Sequence, residues 1–310
     1  MVHVTAPGPA LPSGPEGPAA PLLLAEDNPV NAKVAVAMLE NAGYRVVTVV
    51  NGVEAVAAVA GGRYAAVLMD CQMPTMDGYE ATERIRAGER SGLHTPIIAM
   101  TAGNGSEDRR RCFSVGMDDY LAKPVQREHL LSTLSRWTGP RDGGTQGCLV
   151  MPLPTSGEVL DADTMADLRS LGSEPGSAGL LEELFQLFFT EMTRRIADLH
   201  EALRRADSHS VASAAHLLKG SAAEIGARRL AIVCSDLVTM GVAGRLEGAE
   251  TVLVELKEEY DLVRAALRAQ NHVENSDIAA AREPHRAHSL SGAHETVATD
   301  LWALARSTRG

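Results

Sequence analysis

The stretch Leu22-Leu23-Leu24-Ala25-Glu26-Asp27-Asn28 sets an apolar run directly before two acids and leads into a helical pattern over residues 31–42. The same grammar then recurs. Strand-like runs over 45–50, 64–70, 95–101 and 119–124 alternate with helical segments over 53–60, from 78 onward, over 107–115 and over 127–137. Five strands alternating with five helices predict an open, doubly wound parallel sheet with helices on both faces. Near-continuous apolar strands such as Val67-Leu68-Met69 and Ile97-Ile98-Ala99-Met100 fit burial on both sides.

In sheets of this kind the ligand crevice lies beyond the carboxyl ends of the strands. Glu26, Asp27, Asp70, Thr101 and Lys123 all fall at or just past such ends. Three carboxylates converging on one crevice repel one another unless a hard cation sits between them. Magnesium suits that role, because it takes oxygen ligands from one or two carboxylates, water and phosphate. A hydroxyl and an ammonium then remain to hold phosphoryl oxygens. An ordinary polar strand end explains any one of these residues, but five at corresponding ends point to a site.

The second half of the chain carries Ala215-His216-Leu217-Leu218-Lys219-Gly220 inside an uninterrupted helical pattern. Positions three and four apart share a helix face, so His216, Lys219 and Gly220 form one surface. Glycine inside a helix costs roughly 1 kcal/mol relative to alanine, so the bare patch predicts room for a bulky anion beside the imidazole. Neutral imidazole is a good nucleophile near pH 7. A lone histidine is more often a satisfied core or surface residue, but this one has the strand-end constellation as a partner. Around it, Leu180, Leu184, Leu187, Phe188, Met192, Ile196, Leu199 and Leu203 recur at three- and four-residue steps, as do Leu253, Leu256, Tyr260, Val263 and Leu267. Breaks at Asp207-Ser208, at Ala227 and over 241–244 divide the region into the four or five helices of a bundle.

Residues 21–138 resemble a two-component receiver domain. The likeness runs through Ala25-Glu26-Asp27-Asn28, Met69-Asp70-x-Gln72-Met73-Pro74-x-Met76-Asp77-Gly78, Pro96-Ile97-Ile98-Ala99-Met100-Thr101-Ala102 and Gly116-Met117-Asp118-Asp119-Tyr120-Leu121-x-Lys123-Pro124. The resemblance implies Asp70 as phosphoacceptor, with magnesium held by Glu26, Asp27, Asp70 and the Gln72 main-chain carbonyl. It implies Thr101 and Lys123 on the phosphoryl group, with Thr101 and Tyr120 as the switch pair. Asn28-Pro29-Val30-Asn31 is similar in wording to receivers of hybrid sensor kinases, whereas Asn104-Gly105-Ser106 departs from them and leaves the output surface open. Residues 158–270 resemble a histidine phosphotransfer (HPt) domain, which implies His216 as the phosphorylated histidine and Lys219 as its flanking cation. Together these imply a flavodoxin-like five-stranded sheet followed by an HPt four-helix bundle.

The chain has 310 residues, 45% of them hydrophobic, which suffices for two cores. A formal net charge of -11 without a basic stripe disfavours nucleic acid as a partner. No apolar run is long enough to span a bilayer and no signal pattern opens the chain, so membrane insertion is not expected and a cytoplasmic placement is. Residues 1–20 read as a disordered Pro/Gly-rich leader, 139–157 as a linker and 271–310 as a disordered tail with a short helix over 298–306. Cys71, Cys112, Cys148 and Cys234 show no paired motif and read as reduced thiols, with Cys71 packing at a strand end. His285 and His288 have no ligand framework around them.

The two candidate sites make sense together. An acyl phosphate on Asp70 and a phosphoramidate on His216 are both reactive donors, and a flexible linker of roughly twenty residues spans about 25 Å. No Gly-rich ATP loop occurs, so the expected donor is a separate sensor histidine kinase, with a downstream response regulator as a further partner. A phosphate sink and a piece of a split hybrid kinase are the alternatives within this class. Outside it, a phosphatase with an aspartate nucleophile is disfavoured because Gln72 stands where a leaving-group acid is needed. A DNA-binding output is disfavoured by the absence of a basic recognition helix.

Overall fold

The apolar runs form strands, and the central three are sealed on both faces. The computed structural model describes residues 3–4, 20–89, 94–102, 106–138, 159–173, 177 and 179–282, with side chains as far as 270. The strands are β1 (His3–Val4), β2 (Leu22–Ala25), β3 (Val46–Val49), β4 (Val67–Asp70), β5 (Ile97–Thr101) and β6 (Asp119–Ala122), in the order β1-β3-β2-β4-β5-β6. From β3 to β6 the pairing is parallel, the doubly wound order expected for a flavodoxin-like sheet. Every residue of β2, β4 and β5 is buried.

The helices α1 (Pro29–Asn41), α2 (Gly52–Gly61), α3 (Gly78–Gly88), α4 (Ser106–Ser114) and α5 (Arg127–Thr138) alternate with the strands. Caps set where several begin. Asn28 accepts from Val30 N and Asn31 N ahead of Pro29, Asn51 accepts from Glu54 N, and Asp77 accepts from Glu80 N. An acceptor side chain at this position satisfies an amide that the first turn leaves orphaned. At the other edge of the sheet, Arg86 donates to Gly116 O at 2.8 Å and Thr95 O at 3.0 Å, and pairs with Glu89 and Asp118. Asp118 also accepts from Ile97 N at 2.7 Å. This knot fixes the entry ends of β5 and β6.

The helical region comprises α6 (Ala162–Gly172), α7 (Leu180–Arg204), α8 (Ser208–Glu224), α9 (Arg228–Val242) and α10 (Ala249–Arg282). The expected breaks separate α7 from α8, α8 from α9 and α9 from α10. Phe188 is fully buried, with its ring centroid 6.2 Å from that of Tyr260. The α1 helix packs against β3 and also against α6, α7 and α8, so it belongs to two cores. Val34 and Ala37 share an apolar crevice with Leu168, Leu171, Leu180, Leu181 and Leu184. The chain divides into two units, Met1–Val263 and Arg264–Gly310, and the sheet and helices through Val263 fall in the first.

Short described segments fall within both of the chain's expected ends. Within the leader expected to be disordered, β1 pairs antiparallel with β3, placing His3 opposite Thr48 and Val4 opposite Val47. The reason is that β3 would otherwise present an unpaired edge, which templates any extended segment that reaches it. The expected tail begins inside α10, which continues to Arg282. Residues 270–282 contain neither proline nor glycine, and Pro284 follows, a boundary that favours ending a helix just before it. The linker over 139–157, Cys148, the His285 and His288 pair and the helix expected over 298–306 lie outside the described residues.

Truncating a fully buried aromatic removes its transfer free energy and leaves a cavity. Phe188→Ala should lower unfolding stability by about 3–5 kcal/mol. Urea titration followed by far-ultraviolet circular dichroism would show the shift.

Candidate functional site

Two strand ends bring the acids together. Glu26 and Asp27 follow β2, Asp70 ends β4, and one ligand oxygen from each lies within 4.8 Å of the others. Lys123, just past β6, places Nζ 2.6 Å from Glu26 Oε2 and 2.7 Å from Asp70 Oδ2. The Gln72 amide donates to Asp70 Oδ1 at 3.1 Å. Gly78 allows α3 to start against this strand end, because a Cβ there would sit 2.1 Å from the Asp70 carbonyl oxygen.

The electrostatics follow from one ammonium among three carboxylates in a buried space. Burial pushes Glu26 up to about 8; Lys123 opposes this, while Asp70 and Asp27 add to it. Burial and the Asp70 carboxylate push Asp27 up to about 6. Burial works against the charge on Lys123, but Glu26 and Asp70 outweigh it and hold the ammonium above its ordinary range.

Across from this cluster stands α8. Glu26, Asp27, Asn28, Asn31, Asp70 and Lys123 share a cleft with His216, Lys219, Gly220 and Glu224. The cleft is partly open to solvent. Burial holds the His216 imidazole below its usual pKa; Asp70 opposes this, and the Lys123 and Lys219 charges reinforce it. A lowered value keeps a ring nitrogen unprotonated and nucleophilic. Burial pushes Glu224 up to about 7 against the pull of Lys123.

The bare patch at Gly220 lets α1 come close. A Cβ there would lie 3.2 Å from both Asn28 Nδ2 and Asn31 Nδ2. The missing side chain therefore admits the Asn28 and Asn31 amides, because α1 approaches α8 this closely, and Gly220 also lines the cleft beside His216. Asn28 Nδ2 donates to Leu217 O and to Ser221 Oγ, each at 2.9 Å. Asn31 Nδ2 donates to Glu26 Oε1 at 3.0 Å, which leaves Asn31 Oδ1 buried without a hydrogen-bond partner among the described residues.

Not every expected residue reaches the cleft. Thr101 ends β5 and is buried, while the next residue, Ala102, lines the cleft. Tyr120 lies in β6 beside Phe113, with the Arg109 guanidinium 5.0 Å from its ring centroid. Cys71 packs in the core with its sulfur 4.0 Å from that of Cys112. Asn31, Ser221 and Glu224 were not singled out for the site by spacing. Their only signal is a helical offset from residues that were.

The donor set fits a divalent cation. It offers three carboxylates, two of them held up by burial, beside an orphaned amide oxygen, so the space is rich in acceptors and short of positive charge. Among the described residues no helix is long and apolar enough to cross a membrane.

Comparison with known proteins separates the two halves. Residues 22–135 match the family model of the response regulator receiver domain, and residues 183–266 match that of the Hpt domain. Hybrid signal transduction protein dokA of Dictyostelium discoideum is 46% identical over 123 residues, covering 40% of this chain and 7% of its own length. Sensor histidine kinase GacS of Pseudomonas protegens is 31% identical over 224 residues, covering 71% of this chain and 24% of its own length. The chain thus spans a minor part of these curated relatives. The receiver domain of sensor histidine kinase PA1611 from Pseudomonas aeruginosa PAO1, solved with a magnesium ion in its active-site cleft, is 49% identical. That alignment covers 40% of this chain and all of the solved one, with a TM-score of 0.37.

A cation that needs ionised carboxylates must displace their protons. Below pH about 8 binding should release one proton from Glu26, and below about 6 a second from Asp27. Magnesium affinity should therefore fall about tenfold per pH unit between 8 and 6, and more steeply below, in calorimetric titrations. Without the ion the sign reverses for stability. Folded-state values raised above the unfolded ones mean that these acids stabilise the fold below pH about 4, and that this is lost as pH rises through about 6 to 8.

Proposed function

Because the chain carries a response regulator receiver domain over residues 22–135 and an Hpt domain over residues 183–266, the pair of modules that fits phosphorelay signalling, we propose that it exchanges a phosphoryl group between Asp70 and His216. The supporting observation is that the two side chains line one cleft together with Lys123 and Lys219. In this reading a histidine kinase supplies the phosphoryl group to Asp70, and a further receiver, such as that of a response regulator, can take it from His216.

Phosphoryl transfer asks little covalent help of a protein; alignment and charge compensation do most of it. The unprotonated ring nitrogen of His216 would donate its lone pair to phosphorus, while the bond from phosphorus to the Asp70 oxygen breaks and leaves its electron pair on the carboxylate. The other ring nitrogen keeps its proton. Lys123, already on Asp70 Oδ2, compensates the charge that returns to the carboxylate. Lys219, three residues from His216 on α8, supplies charge on the accepting side. Glu26, Asp27, Asp70 and the Gln72 carbonyl would hold magnesium, whose charge would offset that of the phosphoryl oxygens. Thr101 is assigned to the phosphoryl oxygens and, with Tyr120, to the switch. A phosphatase reading lacks support, since residue 72 is glutamine where that chemistry needs an acid.

Asp70→Asn should abolish magnesium-dependent labelling by acetyl phosphate, read by intact mass, because an amide cannot form an acyl phosphate. His216→Gln should leave Asp70 labelling intact and remove the acid-labile fraction of label. Lys219→Ala should slow the appearance of that fraction without stopping it. Gly220→Leu should also suppress it, by driving α8 off Asn28 and Asn31. Acid-labile label persisting at the wild-type level in the His216→Gln chain would sink the assignment.

A further inference from the structure

Asn28 takes no part in the transfer step. It is 3% exposed, and the Ser221 side chain it meets is 4% exposed. The two side chains bond reciprocally: Asn28 Nδ2 donates to Ser221 Oγ at 2.9 Å, and the Ser221 hydroxyl donates to Asn28 Oδ1 at 3.2 Å. The second amide hydrogen goes to Leu217 O at 2.9 Å, and Oδ1 also caps α1 through Val30 N at 3.0 Å. Both amide hydrogens of the Asn28 side chain are thereby spent on α8, within about a turn of His216. The Leu217 carbonyl would be offered by any helix sequence, whereas the Ser221 hydroxyl is offered only by this side chain.

We infer that Asn28 and Ser221 form a matched positioning pair that sets α8, and so His216, in register over Asp70. This rests on the relay reading above and adds to it the residues that aim the transfer. The location supports the pair physically. Asn28 follows Asp27 directly and begins the helix that carries Asn31, the hydrogen-bond partner of Glu26. A shift of α8 along α1 would strip a buried amide of its acceptor, and an unpaired buried donor costs far more than one more hydrogen bond gains. Apolar contact between Val34, Ala37 and the leucines of α6 and α7 gives adhesion but tolerates sliding. The reciprocal pair does not.

The test is a double-mutant cycle in the full-length chain. Asp70 is loaded from labelled acetyl phosphate with magnesium, and the rate at which label becomes acid-labile is measured. Ser221→Ala should slow that rate about tenfold, the discrimination expected when a buried donor loses its acceptor, with Asp70 loading unchanged. Ser221→Thr, which keeps the hydroxyl, should restore most of the rate. Asn28→Ser keeps a capping oxygen for α1 but is too short to reach across, and it should slow transfer similarly. Asn28→Ser with Ser221→Ala should be no slower than Asn28→Ser alone. Hydrogen exchange over residues 217–224 should rise in the Ser221→Ala chain and no further in the double variant. Transfer at the wild-type rate with unchanged exchange, or single effects that multiply in the double variant, would overturn the pair. A wild-type chain that loads Asp70 but never yields acid-labile label would instead overturn the relay reading, and the pair's role with it.

Discussion

The contact on which the site depends is the Lys123 ammonium, held at 2.6 Å and 2.7 Å from two carboxylates that belong to different strands. Burying an ion costs several kcal/mol even after relaxation, and a buried pair recovers this only with good geometry and further hydrogen bonds. Here the geometry is good but the charges do not balance, because Asp27 joins the same space. Burial, reinforced by the excess of carboxylates over ammonium, raises the pKa values of Glu26 and Asp27. A cluster of this kind is held by the apolar sheet beneath it and completed by whatever positive charge arrives. The strands β2, β4 and β5, buried along their whole length, let the protein carry such a cluster at their ends.

Much of the fold was legible in the chain because each strand repeats one pattern. A buried parallel strand must be apolar on both faces, and the residue that follows it must be polar to reach the crevice. Leu22 to Asp27, Val67 to Asp70 and Ile97 to Thr101 all obey this, so both the sheet and the site emerged from the same reading. The bundle was legible for the equivalent reason at a period near 3.6, with Asp207 capping α8 where the pattern breaks. The edge pairing of β1 was not legible, since two residues carry no periodicity. Nor was the run of α10 beyond residue 270, where polar helix formers replace the apolar stripe.

Within the site, the charged groups were readable and the amides were not. Carboxylates at strand ends announce themselves, because few other roles suit them. Asn28 and Ser221 stand 193 positions apart, and neither residue type has a spacing that predicts the other. Gly220 shows the limit well: the sequence said that a side chain was unwelcome, but only the approach of α1 revealed that Asn28 and Asn31 take up the room. Cys71 and Cys112 are similar, with sulfurs 4.0 Å apart in the core and no motif to join them.

The knot around Arg86 has a mechanical consequence. Its guanidinium ties together the carbonyls before β5 and β6 and the acid that caps the Ile97 amide, so the entry edge of the sheet is a closed set of satisfied bonds. The exit edge holds unbalanced charge and an orphaned oxygen. Because one guanidinium bonds the carbonyls that precede both strands, β5 and β6 reach the cleft from a shared footing, and a displacement of either at Thr95 or Gly116 strains the other.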